Sequence, residues 1–380
     1  MTQSNIENKK LRIVHVVNEI SPAGKEIGII KLAKNLPAER FTSIIISLSG
    51  TYSFGILDLQ EVEILSLGKK NGNDWSIPFR LSEIMRERQA DIVHTHSWGT
   101  LAEGLLGAKL ARIPVFIHGE HGSFPQGWKH RIAQRLLWRR ADRVLAVSGE
   151  LGDRMAAATG FPRERVRVIL NGVDEAAFFP SPALREEFRG RFGFSADDFI
   201  VGAIGRFSEV KNQRMLLLAA AELIRRGERL HIALVSRGKK EQELRQLSSS
   251  LGIAPFTHFL GFQNHVNLAL NGFDVFALTS LSEGCSNVIQ EAMFCSRAVI
   301  ATRVGGNPEL IEDGVSGLLV ESNDHRQLAE KILLLKGDND LRTRLGENAR
   351  RVALEKFPLR RMIREYETLY LEAYRQKRPG

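Results

Sequence analysis

Residues 280–317 read SLSEGCSNVIQEAMFCSRAVIATRVGGNPELIEDGVSG. They follow an apolar run, FDVFALTS at 273–280, which reads as a buried strand. Ser282-Glu283-Gly284 then turns the chain. Residues 287–294 have helical spacing, with Val288, Ile289, Ala292 and Met293 apolar, and a short strand is predicted at 298–301. Glu283 therefore falls in the loop at the C-terminal end of a strand, and Glu291 inside the next helix. Ligands of open parallel sheets bind beyond the carboxyl ends of the strands. The N–H groups of Gly284, Cys285, Ser286 and Asn287 lie at the helix start, where the dipole favours an anion. One loop thus offers amides to a phosphate and two carboxylates to sugar hydroxyls.

Two glutamates eight apart are, on their own, most often solvated acids. Here they are embedded in SEG…EAM…VGGNPELI…G.SG, a far more specific pattern. It resembles the signature of the family 4 retaining glycosyltransferases, the Glu-x7-Glu group. The resemblance implies that Glu283 faces the transferred sugar and that Glu291 holds the ribose hydroxyls of a nucleotide. Ser286-Asn287 after the turn, with Gly-Gly-Asn-Pro-Glu-Leu later, resembles a subgroup associated with bacterial exopolysaccharide clusters. The resemblance is strong over residues 205–317 and loose before 171. It implies the type-B glycosyltransferase fold: two Rossmann-like α/β domains facing a central cleft. The implied reaction moves a hexosyl unit from a nucleoside diphosphate sugar to a glycan or lipid-linked acceptor, with retention.

Upstream, FIVGAIGRFSEVKNQ (199–213) carries Gly205-Arg206 to the end of a strand, with a helix starting near Lys211 or Asn212. Arg206 offers a planar fork of donors and Lys211 a compact charge, and both suit a diphosphate. The resemblance gives both the task of holding the pyrophosphate and neutralising the departing nucleotide. After the next strand the family usually has Gly-x-Gly-Pro near the base; this chain has Ser236-Arg237-Gly238-Lys239.

LRIVHVV (11–17) opens the first half as a buried strand, followed by a loop with Pro22 and Gly24 and a helix at 27–35. There is no G-x-G-x-x-G, so a dinucleotide site is not supported. The family's Gly-Gly-x-Glu is Ala23-Gly24-Lys25-Glu26 here, which makes Gly24 a donor-binding candidate by resemblance. Further strand-like runs at 42–48, 62–67, 91–95, 115–117, 143–147 and 166–170 alternate with helical stretches and predict a parallel sheet. HTHS (94–97) and HGEHG (118–122) end two of them. The family's His-Gly, which supports the reaction centre, matches His121-Gly122 best, with His118-Gly119 a rival in the same loop. The histidines are scattered over two loops without an assignable carboxylate partner, so no metal or other cofactor is expected.

WKHRIAQRLLWRRADRV (128–144) is basic and holds Trp128 and Trp138. Ile132, Leu136 and Leu137 share a face. Two readings stay open: a core-packed helix with a solvated basic face, or an interfacial helix on an anionic membrane surface. NGVD at 171–174 leads into a segment read as a linker. The domains are placed at 1–180 and 181–357, with a last helix (358–380) crossing back onto the first.

The chain has 380 residues, 43% hydrophobic and 26% charged, enough for two cores without staples. Cys285 and Cys295 fit a reducing cytosol rather than a disulfide framework. The polar N-terminus reads as no signal peptide and no run is long enough to span a membrane, so a cytoplasmic location is expected, with peripheral attachment to the membrane's inner face left open. A net charge of +9 suits an anionic partner, and with no nucleic-acid motif the diphosphate or an anionic lipid surface is favoured. A pyridoxal-phosphate phosphorylase or sugar-nucleotide epimerase on the same fold, or a non-catalytic partner subunit, are the competing readings.

Overall fold

The computed structural model describes residues 9–21, 24–51, 62–70, 72, 74–122, 124 and 127–377. Ala23, which stands where the family usually has the first glycine of Gly-Gly-x-Glu, lies outside them. The chain divides into two compact units, Met1–Asn171 with Arg360–Gly380, and Gly172–Leu359.

The first unit runs β1 (Leu11–Ile20), α1 (Gly24–Asn35), β2 (Phe41–Thr51), β3 (Glu63–Ser66), α2 (Ile77–Glu87), β4 (Ile92–His96), α3 (Trp98–Ala111), β5 (Val115–Glu120), α4 (Trp128–Trp138), β6 (Arg143–Ala146), α5 (Gly149–Thr159) and β7 (Val166–Val168). Its strands lie in the order β3-β2-β1-β4-β5-β6-β7, and the neighbouring pairs are parallel. Strands covered on both faces read as continuous apolar runs rather than alternating ones, which is why 11–17 and 115–117 are legible as strands.

The second unit holds α6 (Pro182–Phe192), β8 (Ile200–Ile204), α7 (Gln213–Arg225), β9 (His231–Val235), α8 (Glu241–Ser250), β10 (Thr257–Phe259), α9 (Val266–Gly272), β11 (Val275–Leu278), α10 (Asn287–Phe294), β12 (Ala298–Thr302), α11 (Asn307–Leu310), β13 (Leu318–Val320), α12 (His325–Gly337) and α13 (Asn339–Lys356). The parallel sheet is ordered β10-β9-β8-β11-β12-β13. In both sheets the order reverses beside the unit's first strand, β1 or β8, and such a switch point opens a crevice at the strand ends. The last helix, α14 (Leu359–Lys377), joins the first unit from Arg360 onward. There Tyr366 and Tyr370 are buried.

Two boundaries differ from the sequence reading. The supposed linker contains α6: Ser181 accepts the Leu184 N–H at its start, Pro182 occupies the first turn, and Gly193 closes it with φ 75°. Those are ordinary start and stop signals. The units also meet at 171/172 rather than at 180/181. Val173 N–H donates to the Phe357 carbonyl at 2.9 Å, and Leu359 N–H donates to the Val173 carbonyl at 2.9 Å. Asn271 donates to the Phe179 carbonyl (3.0 Å) and accepts the Ser181 N–H (2.7 Å). These bonds fasten 172–181 to the second unit.

Candidate active site

The second unit gathers most of the expected residues at the carboxyl ends of its central strands. β8 is followed by Gly205, at φ 153°, and then by the exposed Arg206. Gln213 at the start of α7 donates to the carbonyls of Gly205 (3.1 Å) and Arg206 (3.2 Å), so the turn is held by its own helix. Phe207 is buried behind it. The loop after β9 lies on this turn: Phe207 N–H donates to the Arg237 carbonyl and Lys240 N–H to the Phe207 carbonyl, each at 3.1 Å. A Cβ at Gly238 would sit 2.3 Å from the Phe207 oxygen, so only glycine allows the approach. Ser236 has φ 136°, a glycine-like conformation. Gly238 of the Gly-x-Gly-Pro pattern is thus kept where glycine is required, while Ser236 and Lys239 replace the first glycine and the proline.

Lys211 stands on a single 3-10 turn, Glu209–Lys211. Its Nζ donates to Glu283 Oε1 at 2.6 Å, and Ser280 Oγ donates to the same oxygen at 2.5 Å. Thr279 Oγ1 donates to the carbonyls of Lys211 (3.2 Å) and Asn212 (2.9 Å), and Leu281 N–H to that of Val210 (2.7 Å). The loops after β8 and β11 are thus stitched together by the Thr279 hydroxyl and one backbone bond. A third loop, after β12, presses from below. A Cβ on Gly305 would lie 1.9 Å from the Glu283 carbonyl oxygen, and its φ of 51° also asks for glycine. This is the physical content of the Gly-Gly pair in the motif. Ser280 and Gly305 went unassigned in the sequence reading, though both lie inside its quoted stretch.

α10 begins at Asn287, as expected, with Ser286 as its cap, accepting the Ile289 N–H at 3.4 Å. The amides of Asn287 and Val288 belong to the first turn, the place where a helix meets an anion. Glu291 is part-buried one turn further on. Cys285 accepts a 3.5 Å contact from Gln290, while Cys295 is buried and its thiol pushed up to about 12 by burial, which leaves it inert.

His121 and Gly24 lie in the first unit. Here strand register decides which histidines meet. His15 pairs with His94 across β1 and β4, and Thr95 pairs with His118 across β4 and β5. Side chains alternate along a strand, so His15, His94 and His96 share one face and His118 takes the other. His118 is fully buried, 2.9 Å from Thr95 Oγ1 and 3.1 Å from Glu120, with Trp138 stacked nearby. It is a core residue, and the rival reading of His118-Gly119 falls. His121 Nε2 instead lies 3.0 Å from His96 Nδ1, and His96 Nε2 lies 3.1 Å from His15 Nδ1. His94 lies against His96, ring centres 4.1 Å apart and tilted by 37°, and meets Tyr370 Oη through Nδ1 at 2.9 Å. The histidines are therefore not scattered. One nitrogen from each of His15, His94 and His96 lies within 4.8 Å of the others, within reach of a metal ion, but both nitrogens of His96 are engaged by histidines.

Burial pushes His15 down to about 3, and burial with the nearby Lys25 ammonium does the same to His121. His94 and His96 are held well below the usual range, by burial first. All four are neutral at pH 7. Lys25, absent from the candidate residues, thus sits near His121, paired to Glu26 at 2.9 Å.

Two family models divide the chain between them. Residues 22–177 match the one described as Glycosyltransferase Family 4, and residues 185–352 the one described as Glycosyl transferases group 1. N-acetyl-alpha-D-glucosaminyl L-malate synthase of Bacillus anthracis is 28% identical over 317 residues, covering 81% of each chain. The protein EpsF of Bacillus subtilis (strain 168) is 26% identical over 323 residues, 82% of this chain and 81% of that one. Among solved structures, Anabaena Alr3699/HepE in complex with UDP and glucose superposes with a TM-score of 0.85 at 25% identity, covering 95% of this chain and 99% of that one. Two parallel-sheet Rossmann-like domains, with cations and carboxylates at the strand ends of the second, define a glycosyltransferase of the type-B fold. The chain belongs to glycosyltransferase family 4.

Proposed function

We propose that this glycosyltransferase moves a hexosyl unit, with retention at the anomeric carbon, from a nucleoside diphosphate sugar to a glycan or lipid-linked acceptor in exopolysaccharide or cell-surface glycan synthesis, at the cytoplasmic side of a membrane. The observation that carries the reading is the Lys211–Glu283 ion pair on stitched loops, with Arg206 exposed on the same turn after β8. Two cations suit a diphosphate leaving group, and stabilising its charge is the main catalytic effect open to the site. The amides at the start of α10 add to it, so no metal ion is required. Double displacement would need a carboxylate opposite the leaving group; the reading is a front-face, leaving-group-assisted reaction. Uridine diphosphate is the first nucleotide to test, because HepE holds UDP. The exopolysaccharide role is supported by the variant of the motif and by the likeness to EpsF.

The Lys211–Glu283 ion pair sharpens the roles of the two glutamates. A glutamine at 283 can still accept from Lys211 and Ser280, so the geometry survives while the negative charge beside the lysine is lost. Glu283→Gln should therefore bind free uridine diphosphate as well as the wild type or better, yet turn over the sugar donor poorly. Glu291→Gln, in contrast, should weaken the free nucleotide by removing the acceptor for its ribose. Calorimetry and turnover, both in excess chelator, test this. Equal nucleotide loss in both variants, or activity that returns only with Mg²⁺ or Mn²⁺, would contradict the assignment.

The membrane term rests on α4. Its outward side shows Trp128 (68% exposed), Ile132 (53%) and Leu136 (55%) at intervals of four, flanked by the exposed Lys129, Arg131, Arg135, Arg139 and Arg140. Trp138 is fully buried, so the core and interfacial readings describe opposite sides of one helix. Among the described residues no helix is long and apolar enough to cross a membrane. Each cation near an anionic leaflet adds about 1 kcal/mol, and apolar side chains add burial. In liposome sedimentation the protein should pellet with anionic but not neutral vesicles, and Ile132→Asp with Leu136→Asp should release it. Indifference to lipid charge and to both substitutions would remove the membrane from the proposal.

A further inference from the structure

We propose that His96 and His15 are positioning residues: a hydrogen-bonded relay, His121–His96–His15, that commits His121 to a single tautomer. The inference rests on the reading of His121 as the histidine that meets the donor sugar.

A neutral imidazole has one donor nitrogen and one acceptor nitrogen. The relay has two contacts, His121 Nε2 to His96 Nδ1 at 3.0 Å and His96 Nε2 to His15 Nδ1 at 3.1 Å. Each contact needs one proton between its nitrogens. Only two arrangements satisfy both with every ring neutral. Either all three rings carry the proton on Nδ1, or all three carry it on Nε2. A mixed arrangement would place two protons or none between a pair. The remaining nitrogen of His121, Nδ1, is then wholly a donor in the first arrangement and wholly an acceptor in the second. The choice is made at the far end, where His15 Nε2 is buried with no hydrogen-bond partner among the described residues. A donor or acceptor left unsatisfied in a core costs about 1–3 kcal/mol. The two forms orphan different groups there, an N–H or a lone pair, so the buried end biases the whole relay.

The surroundings keep the rings in line. His94 packs against His96 with ring centres 4.1 Å apart, tilted by 37°, and is anchored by Tyr370 Oη. His15 and His96 lie nearly parallel, 22° apart at 5.4 Å. Neither His15 nor His96 is more than 1% exposed, so they act through His121 and not on a ligand directly. An unrelayed His121 would divide its population between two tautomers, only one of which suits a given hydroxyl.

Long-range proton–nitrogen correlation spectra of the wild-type protein near pH 7.5 read the tautomer of each ring without any ligand. His15, His96 and His121 should all carry the proton on the same-named nitrogen. A mixed set, or stoichiometric zinc in the purified protein displacing those protons, would overturn the relay. His15→Phe cuts its far end. In that variant the His121 signals should move towards a mixture, and kcat should fall about tenfold or more. The affinity for uridine diphosphate should stay within about twofold, since the clamp residues lie in the other unit. An unchanged His121 tautomer in a folded His15→Phe protein would also overturn the proposal. If His121→Ala turns over normally, the role of His121 fails by itself, while the wild-type spectra still decide the relay.

Discussion

Arg206→Ala and Lys211→Ala should each lower turnover by about 10²–10³-fold, or about 2.7–4 kcal/mol of transition-state stabilisation. As the sugar leaves, negative charge develops on the diphosphate. Arg206 can meet it with a planar fork on a turn held by Gln213. Lys211 meets it as a point charge whose direction is set by Glu283 and, through its own carbonyl, by Thr279. Neither head group supports the core, because Arg206 is exposed and Lys211 partly so. The circular dichroism spectrum and melting temperature should accordingly change little. The two losses should combine to less than their product, since both residues act on one leaving group. Near wild-type turnover in either variant would strip that residue of its role.

Acid should destabilise the first unit well before carboxylates are protonated. His15, His94, His96 and His121 have their folded-state values depressed by burial, those of His15 and His121 to about 3. An unfolded chain titrates its histidines near 6.5. Below that pH the unfolded state binds protons that the folded state refuses. Stability is complete above about pH 6.5 and falls as pH drops from there towards 3, the sign expected for a lowered value. Each such histidine contributes a slope of up to about 1.4 kcal/mol per pH unit. Four together approach about 5 kcal/mol per unit, against a total of about 5–15 kcal/mol for a domain. Calorimetry from pH 7.5 to 5.5 should show a steep loss in one of two transitions. His94→Phe should flatten it by about one proton's worth. A melting temperature that is level across this range would show that these rings are hydrated or charged when folded.

The sheets and the second unit's site were legible because their signals are local. Buried parallel strands are continuous apolar runs, and Glu283, Gly284 to Asn287 and Glu291 fall within one short strand–loop–helix. What stayed hidden depends on pairing across distance. His15 and His94 are far apart in the chain and meet only through the register of β1 and β4. The same register separates His118 from His96, which no spacing within HGEHG could reveal. The unit boundary was missed because Val173 is claimed by Phe357 and Leu359 through backbone bonds that side-chain identity does not encode. α6 was a different kind of miss. Ser181, Pro182 and Gly193 carry its limits in the sequence, but the polar composition between them looked like a linker. In α4 the shared apolar face left the core and interfacial readings open; the fold buries Trp138 and Gln134 and leaves Ile132 and Leu136 outside.

The first unit is finished last. Its seven strands are made early, but Tyr370, which covers His94, arrives on α14, after the second unit has been synthesised. About 190 residues intervene, roughly 10–40 s at about 5–20 residues per second. During that interval the nascent chain holds the strands of the first sheet without the helix that covers His94. The cover over His94 is thus supplied only after the second unit has been translated, and α14 acts as the closing stitch of the protein's first-made half.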